Sequence, residues 1–200
     1  MKKISLLLVL LSACFISNAQ PLTAEQQTIR KVFFDFLKFY KKNEAKFNSY
    51  RLYKGQGKEN NPPFTLQWKE AERYFAWLRA SVPYVGEAYI KAERERFRFS
   101  DSCFKADPED ELPAGFDYDR WAGGQESIEY TLPRYTSSKN KYQVTISGNT
   151  ALLRIGMPIG ENATDAELSW SVVPFVKEKG KWKMADNVYP ETEEEGGETD

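Results

Sequence analysis

Apolar residues recur at helical spacing near the start of the chain. Thr23 precedes this run and Gln26 stands three residues later, which is the capping-box pattern of a helix N-terminus. The apolar positions then repeat every three or four residues, as on one face of a helix. They are Ile29, Val32, Phe33, Phe36, Leu37 and Tyr40. We predict a long amphipathic helix here, with Asp35 outside the stripe and paired with a surface lysine.

Two more helices are expected after a polar loop over residues 54–63. Thr65 is expected to cap the second helix, which Pro83 interrupts. The third helix is expected over residues 84–104. Its predicted apolar stripe consists of Val85, Ala88, Tyr89, Ala92, Phe99 and Cys103. Cys103 is expected to be a small buried hydrophobic residue, since the chain has no histidine to activate its thiol.

The third helix contains a run of mixed charges, KAERERFR, over residues 91–98. Glutamates are interleaved with Arg94, Arg96 and Arg98, so a basic nucleic-acid contact is disfavoured. Opposite charges three or four positions apart stabilise an exposed helix face. We therefore predict a solvated face and no nucleic-acid partner.

Residues 106–125 are rich in proline, glycine and acids, which predicts a long irregular connection. Such connections often contain functional residues. Asp117 and Asp119 could offer oxygens to calcium, but the twelve-residue pattern of an EF-hand is absent. Trp121 also lies in this connection, beside two glycines.

Apolar and polar residues alternate in the C-terminal half, which is the period of a strand with one buried face. The runs are Ile128, Tyr130 and Leu132; Tyr142, Val144 and Ile146; Ala151, Leu153, Ile155 and Met157; Leu168, Trp170, Val172 and Val176; and Trp182, Met184 and Val188. Turn signals at 147–149 and 178–180 predict hairpins. Val173 and Phe175 suggest a strand covered on both faces, and Pro174 suggests an edge position or a bulge. This order predicts an α+β fold, with N-terminal helices packed against a curved antiparallel sheet.

The composition removes several classes of function. The 200 residues include no histidine and two cysteines, with 41% apolar residues and a formal net charge of −1. These numbers describe a globular chain without a Ser-His-Asp or Cys-His nucleophile and without the usual zinc or iron ligands. We predict no catalytic residue, no metal ligand and no cofactor.

The N-terminus has the pattern of a secretory signal peptide over residues 1–19, with two lysines, an apolar run and a cleavage site before Gln20. Export to the periplasm or the extracellular space is predicted. The string that ends at Cys14 also resembles a lipobox, which leaves a lipoprotein anchored at Cys14 as the alternative. No later stretch is long and apolar enough to predict a transmembrane segment.

The remaining chain divides into a single domain over residues 20–190 and a tail over residues 191–200. The tail contains six acids and no base. Because it also lacks apolar residues, we predict that it is disordered.

Several segments carry a resemblance to a known superfamily. Residues 170–186 have the sequence WSVVPFVKEKGKWKMAD. They resemble the last two strands of the nuclear-transport-factor-2-like superfamily, the cone-shaped fold shared with ketosteroid isomerase. Residues 29–37, 115–119 and 142–157 resemble an uncharacterised exported bacterial family within it. The similarity covers residues 24–189. It implies a cone-like domain with a cavity between the helices and the concave face of the sheet.

Members of that superfamily use the cavity for dehydration, isomerisation, ligand binding or dimerisation, so fold alone does not select a function. The dehydratase-like members use a histidine–aspartate pair, which this chain lacks. The isomerase-like members use aspartate with tyrosine, but neither Asp35 nor Asp186 lies in a matching motif. The resemblance therefore favours a non-catalytic role.

We predict an exported domain that binds a small molecule, a peptide or an envelope protein. Flat aromatic rings suit an apolar or ring-shaped ligand, although Trp170 is also in phase with a core face. The candidate ligand-binding residues are Trp121, Trp68, Tyr74 and Trp170. The alternatives are a small lyase or isomerase that uses an Asp/Tyr pair, and a homodimer formed through the sheet.

Overall fold

The computed structural model describes residues 21–56, 61–160 and 167–191. They form an α+β fold in which helices pack against an antiparallel sheet, as predicted. The predicted signal peptide, Cys14 and residues 192–200 of the predicted tail lie outside the described residues. No helix in the described ranges has the length and apolar character needed to cross a membrane.

Four helices and seven strands make up the described fold. The helices are α1 (Ala24–Phe47), α2 (Trp68–Ser81), α3 (Glu87–Ala106) and α4 (Ile128–Tyr135). The strands are β1 (Tyr53–Lys54), β2 (Thr65–Leu66), β3 (Lys141–Ser147), β4 (Thr150–Pro158), β5 (Leu168–Glu178), β6 (Lys181–Met184) and β7 (Tyr189–Pro190). β1 pairs with β2, while the main sheet has the order β3-β4-β5-β6, with β7 also beside β5.

Helix α1 lies against the main sheet and contacts β3, β6 and α4. The predicted capping box is confirmed, since Thr23 and Gln26 each bond the backbone of the other. The amide of Gln26 also donates to the carbonyl oxygen of Val144 in β3 at 2.7 Å. Most of the predicted stripe is buried, and Asp35 forms the expected ion pair with Lys31. The N-terminus of α1 is thereby attached to the sheet.

Replacing Thr23 with alanine should lower the free energy of unfolding by about 1 kcal/mol, because the side-chain cap of α1 is lost. Chemical denaturation measures the change. Thr28→Ala, at an exposed position of the same helix, is the control, since the Thr28 hydroxyl bonds only a backbone carbonyl of its own helix. Equal losses in the two variants would contradict a specific capping effect.

The second and third helices begin later than predicted. Thr65 lies in β2, where it pairs with Lys54, and α2 begins at Trp68 after Gln67, which makes no side-chain cap. The local sequence predicts a helix cap at Thr65. It does not reveal that Thr65 pairs with Lys54, which lies on the other side of the loop. The third helix begins at Glu87, after Gly86.

The buried face of α3 differs from the prediction in its C-terminal half. Phe99 is 65% exposed, whereas Phe97 and Phe104 are buried. Cys103 is a free, half-buried thiol. Glu93 is 0% exposed, so the prediction that the charged run is wholly solvated is wrong. Its partners come from distant segments, as described below.

The first predicted strand is a helix. Residues 128–135 alternate in hydropathy, but Ile128, Thr131 and Tyr135 also recur at helical spacing, and these three are the buried residues of α4. The predicted strand would have buried Tyr130, but its side chain is 59% exposed. The helical period therefore prevails over the alternating one.

The two predicted hairpins are confirmed, since β3 pairs with β4 and β5 pairs with β6. The prediction that β5 is covered on both faces is wrong, because only the face of Val173 and Phe175 is buried. Val173 and Phe175 are buried, while Trp170 and Val172 are half-exposed. The reason is register, because Val173 lies opposite Leu153 of the covered face of β4.

Pro174 lies in an interior strand, so the predicted edge position is wrong. β5 pairs with β4 along one side and with β6 and β7 along the other. The pairing with β6 ends at Phe175 and that with β7 begins at Val172. Pro174 accepts a hydrogen bond from Ala185 in this interval, and its missing N–H faces the same side. The proline therefore leaves the pairing of β5 with β4 intact.

Candidate functional site

A cleft of about 360 Å³ lies between the C-terminal part of α1, the segment that follows it and the connection from α3 to α4. We call it the aromatic cleft. Its ring-bearing lining residues are Tyr40, Phe47, Tyr50, Tyr53, Phe116, Tyr118 and Trp121. Its charged lining residues are Glu44, Asp119, Arg120 and Glu126.

The rings of the cleft are held by one another. The Phe47 ring lies edge-on to the rings of Tyr40 and Trp121, with centroids 4.9 and 5.2 Å apart. On another part of the lining, the rings of Tyr53 and Phe116 are 5.0 Å apart. Such contacts restrict ring motion, so the shape of the cleft is largely preformed.

Asp119 organises the connection that closes one side of the cleft. Its Oδ1 accepts the backbone N–H groups of Trp121 and Ala122, both at 3.0 Å. Its Oδ2 accepts the hydroxyl of Tyr40 at 2.8 Å. Gly123 also donates its N–H to the Asp119 carbonyl. One carboxylate therefore joins helix α1 to a tight turn.

Burial raises the pKa of Asp119 above its ordinary value of 3.8, and the hydrogen bonds from Ala122, Tyr40 and Trp121 offset this only in part. A raised pKa in the folded state means that folding is favoured by protonation. This contribution is complete below pH 3.8 and is lost as the pH rises through the raised value. Asp119→Asn should remove that part of the pH dependence of the unfolding free energy.

Denaturation of the two proteins across the acid range tests this expectation. Asp117→Asn is the control, because Asp117 is an exposed carboxylate two residues away. The proposed role of Asp119 is refuted if Asp119→Asn and the original chain show the same slope of stability against pH.

Behind the cleft lies a set of charged and aromatic side chains that we call the buried charge network. It comprises Glu93, Arg96, Arg120, Tyr74 and Asp186. Glu93 is at its centre and is 0% exposed. Its Oε1 accepts from Arg120 Nε at 2.8 Å, and its Oε2 accepts from Arg96 Nη2 at 2.6 Å.

The network joins α2, α3, the connection and the segment after β6. Tyr74 donates to Glu93 Oε1 at 3.1 Å and accepts from the indole N–H of Trp121 at 2.9 Å. Arg96 also pairs with Asp186. Burial alone would raise the pKa of Glu93, but the charges of Arg120 and Arg96 outweigh it, so the pKa is lowered. Glu93 is thus held as a carboxylate.

Arg120 connects the network to the cleft. It lines the cleft although it is only 5% exposed, and its guanidinium carbon lies 4.1 Å from the centre of the Trp121 ring. Its Nη2 is buried and has no hydrogen-bond partner among the described residues. An unpartnered buried donor is uncommon in folded proteins.

No protein family, curated protein or solved structure matches this chain. Membership of the nuclear-transport-factor-2-like superfamily therefore stays a prediction. The described residues contain no group of three or more side chains placed to hold a metal ion. In particular, Asp117 and Asp119 do not form such a group.

The structure brings together two of the four predicted ligand-binding residues. Trp121 lines the aromatic cleft, and Tyr74 is fully buried behind it. Trp68 lies at the start of α2, where its indole N–H points to Asp101 at 3.5 Å. Trp170 lies on the other face of the sheet, with the guanidinium of Arg154 4.6 Å from its ring centre.

Sequence reasoning missed two residues that shape the cleft. Tyr40 was assigned to the core stripe, yet its hydroxyl bonds Asp119 at the cleft. Arg120 carries a weak signal only, which is a base between an acid and a tryptophan in an irregular segment. Its ion pair with Glu93 spans 27 positions and has no sequence pattern.

Proposed function

We propose that this domain binds a small ring-bearing organic molecule in the aromatic cleft and does not convert it. The observation that carries the proposal is the cleft itself, which has seven ring-bearing lining residues and a volume of about 360 Å³. Small-molecule sites typically measure about 300–1,000 Å³ and have apolar or aromatic walls with a few polar groups. A cleft of this size favours a small molecule over a protein partner.

The hydrogen bonding of the acids favours binding over chemistry. Both oxygens of Asp119 already accept hydrogen bonds from the protein. Glu93 does not line the cleft and is held by two arginines. A general base needs a free lone pair within reach of the substrate. Glu93 does not face the cleft, and Oδ1 of Asp119 already accepts two N–H groups, so only Oδ2, beside Tyr40, has a lone pair left.

A proton-transfer function is the second candidate, because Asp119 has a raised pKa and contacts Tyr40 in an aromatic site. In this case Asp119 would remove a proton beside a carbonyl and return it two carbons away. Isomerisation of 3-cyclohexenone to the conjugated ketone, followed by ultraviolet absorbance, tests this candidate. A rate no greater than that of Asp119→Asn would exclude it.

Nuclear magnetic resonance with 4-methylphenol as the probe tests the binding proposal. We expect shifts concentrated at the indole N–H of Trp121, with the indole N–H groups of Trp170 and Trp182 unmoved. Asn48→Trp places a large side chain at the cleft, since Asn48 is exposed and lines it. This variant should lose the shifts.

Ser49→Trp is the matched control, because Ser49 is the next exposed residue and does not line the cleft. It should retain them. Shifts that persist in Asn48→Trp, or that centre on Trp170, would contradict binding in the aromatic cleft.

The predicted export signal adds a location to this proposal, which is the periplasm or the extracellular space. Peptide binding and dimerisation through the sheet are the other proposals that the predicted fold allows. The half-exposed outer residues of β5, such as Trp170 and Val172, are compatible with a second copy. Sedimentation of the purified chain would distinguish a dimer from a monomer.

A further inference from the structure

Arg120 has the properties of an anchor for an anionic group. Its Nε donates to Glu93, whereas its buried Nη2 has no hydrogen-bond partner among the described residues. Leaving a buried donor unpaired is unfavourable, and a carboxylate is the group that best matches a guanidinium. A ligand carboxylate bound here would satisfy Nη2 after displacing the side chains that now shield it.

The anchor is held in place before any ligand arrives. Glu93 fixes the Nε side of the guanidinium and is itself fixed by Arg96 and Tyr74. The ring centres of Trp121 and Phe116 lie 4.1 and 5.1 Å from the guanidinium carbon of Arg120. Preorganisation of this kind lowers the entropic cost of binding.

The rest of the cleft favours positive charge. Glu44 and Glu126 line it, and neither has an ion pair with a described residue. The charge of Arg120 is already opposed by Glu93. A purely anionic ligand would therefore be repelled by Glu44 and Glu126, whereas aromatic rings and carboxylates both attract an ammonium group.

We propose that the ligand of the aromatic cleft is a ring-bearing zwitterion of the amino-acid type. Its carboxylate binds the terminal nitrogens of Arg120, its ammonium group lies beside Glu44 and Glu126, and its ring packs against the aromatic walls. This inference rests on the proposed binding function and specifies the chemical class of the ligand.

Three matched probes separate the two charges. L-phenylalanine carries both, 3-phenylpropanoate lacks the ammonium group and 2-phenylethylamine lacks the carboxylate. In calorimetric titrations of the purified chain, we expect phenylalanine to bind about tenfold more tightly than either singly charged probe, since each charged contact contributes of the order of one decade.

The outcomes separate the proposed ligand class from the proposed binding in the aromatic cleft. If a singly charged probe binds as tightly as phenylalanine, the zwitterion proposal fails while ring binding stands. If none of the three binds, the proposed binding function fails together with the inference.

Charge-neutral variants test the ammonium position without touching the buried network. The double variant Glu44→Gln, Glu126→Gln should weaken phenylalanine binding about tenfold and leave 3-phenylpropanoate unchanged or tighter. Glu129→Gln is the control, because Glu129 is exposed and does not line the cleft. Equal weakening of both probes in the double variant would overturn the assignment.

Arg120→Lys tests the carboxylate position, since it retains the charge and removes the paired terminal nitrogens. It should abolish the preference for phenylalanine over 2-phenylethylamine. If this variant does not fold, the probe series on the original chain still decides whether a carboxylate is recognised.

Discussion

Replacing Glu93 with glutamine should lower the free energy of unfolding by about 3–5 kcal/mol. The substitution preserves the size of the side chain but removes the negative charge that lies between Arg96 and Arg120. Arg120 is 5% exposed and cannot regain water without leaving the core. An unbalanced guanidinium would then remain buried, which is costly. Urea denaturation of the variant and the original chain measures the loss.

Glu95→Gln is the matched control. Glu95 lies two residues further along α3 and is exposed, where it pairs with Arg98 at 2.5 Å. Exposed ion pairs contribute about 1 kcal/mol or less. Similar losses for Glu93→Gln and Glu95→Gln would mean that the buried charge network does not support the fold.

Replacing Gly123 with alanine should also be severe, with a loss of about 3 kcal/mol from backbone strain and overpacking together. Gly123 has a φ of +73°, which side-chain-bearing residues rarely adopt. A Cβ there would lie 2.4 Å from Val188 Cγ1 and 2.8 Å from the Val188 carbonyl oxygen. The turn would have to move away from the segment between β6 and β7. Thermal or chemical denaturation measures the change.

Gly124→Ala provides the comparison one residue away. A Cβ at Gly124 would have its nearest neighbour 3.9 Å away, so this variant should lose no more than about 1 kcal/mol. Since Asp119 and Gly123 belong to the same turn, Gly123→Ala should in addition weaken ligand binding in the cleft. Equal stability of the two alanine variants would argue against the close approach to Val188.

Local signals in the sequence were sufficient for the elements that depend on local contacts. The capping box at Thr23 and Gln26 involves residues three apart, and the two hairpin turns join strands that are adjacent in the chain. Such patterns predict structure because their partners lie in the same few residues.

The short helix α4 shows where periodicity alone is insufficient. Over eight residues, alternation and helical spacing select overlapping sets of apolar positions. Ile128 belongs to both sets, and the choice depends on whether Tyr130 or Thr131 is covered. Packing against α1 settles that question, and the local sequence does not contain this contact.

The candidate site was predictable only in part. The sequence identifies Trp121 because it lies in a long irregular connection, where functional residues often occur. Its cleft also needs rings from α1 and from the segment after it. The pattern of opposite charges over residues 91–98 predicts that Glu93 lies in solvent. Its burial depends on Arg120, which lies 27 positions away, and on the register of α3. Neither dependence is visible in a single sequence.

The interval between β6 and β7 also limits how the protein can be engineered. In this short segment between the strands, Asp186 pairs with Arg96, and Asn187 accepts a hydrogen bond from the hydroxyl of Tyr89. The side chain of Val188 lies against Gly123. An insertion here would uncouple the sheet from the helices. The turn at Gly148 is different, because a Cβ there would meet no atom within 4 Å. A reporter or an affinity tag within the chain therefore belongs at Gly148.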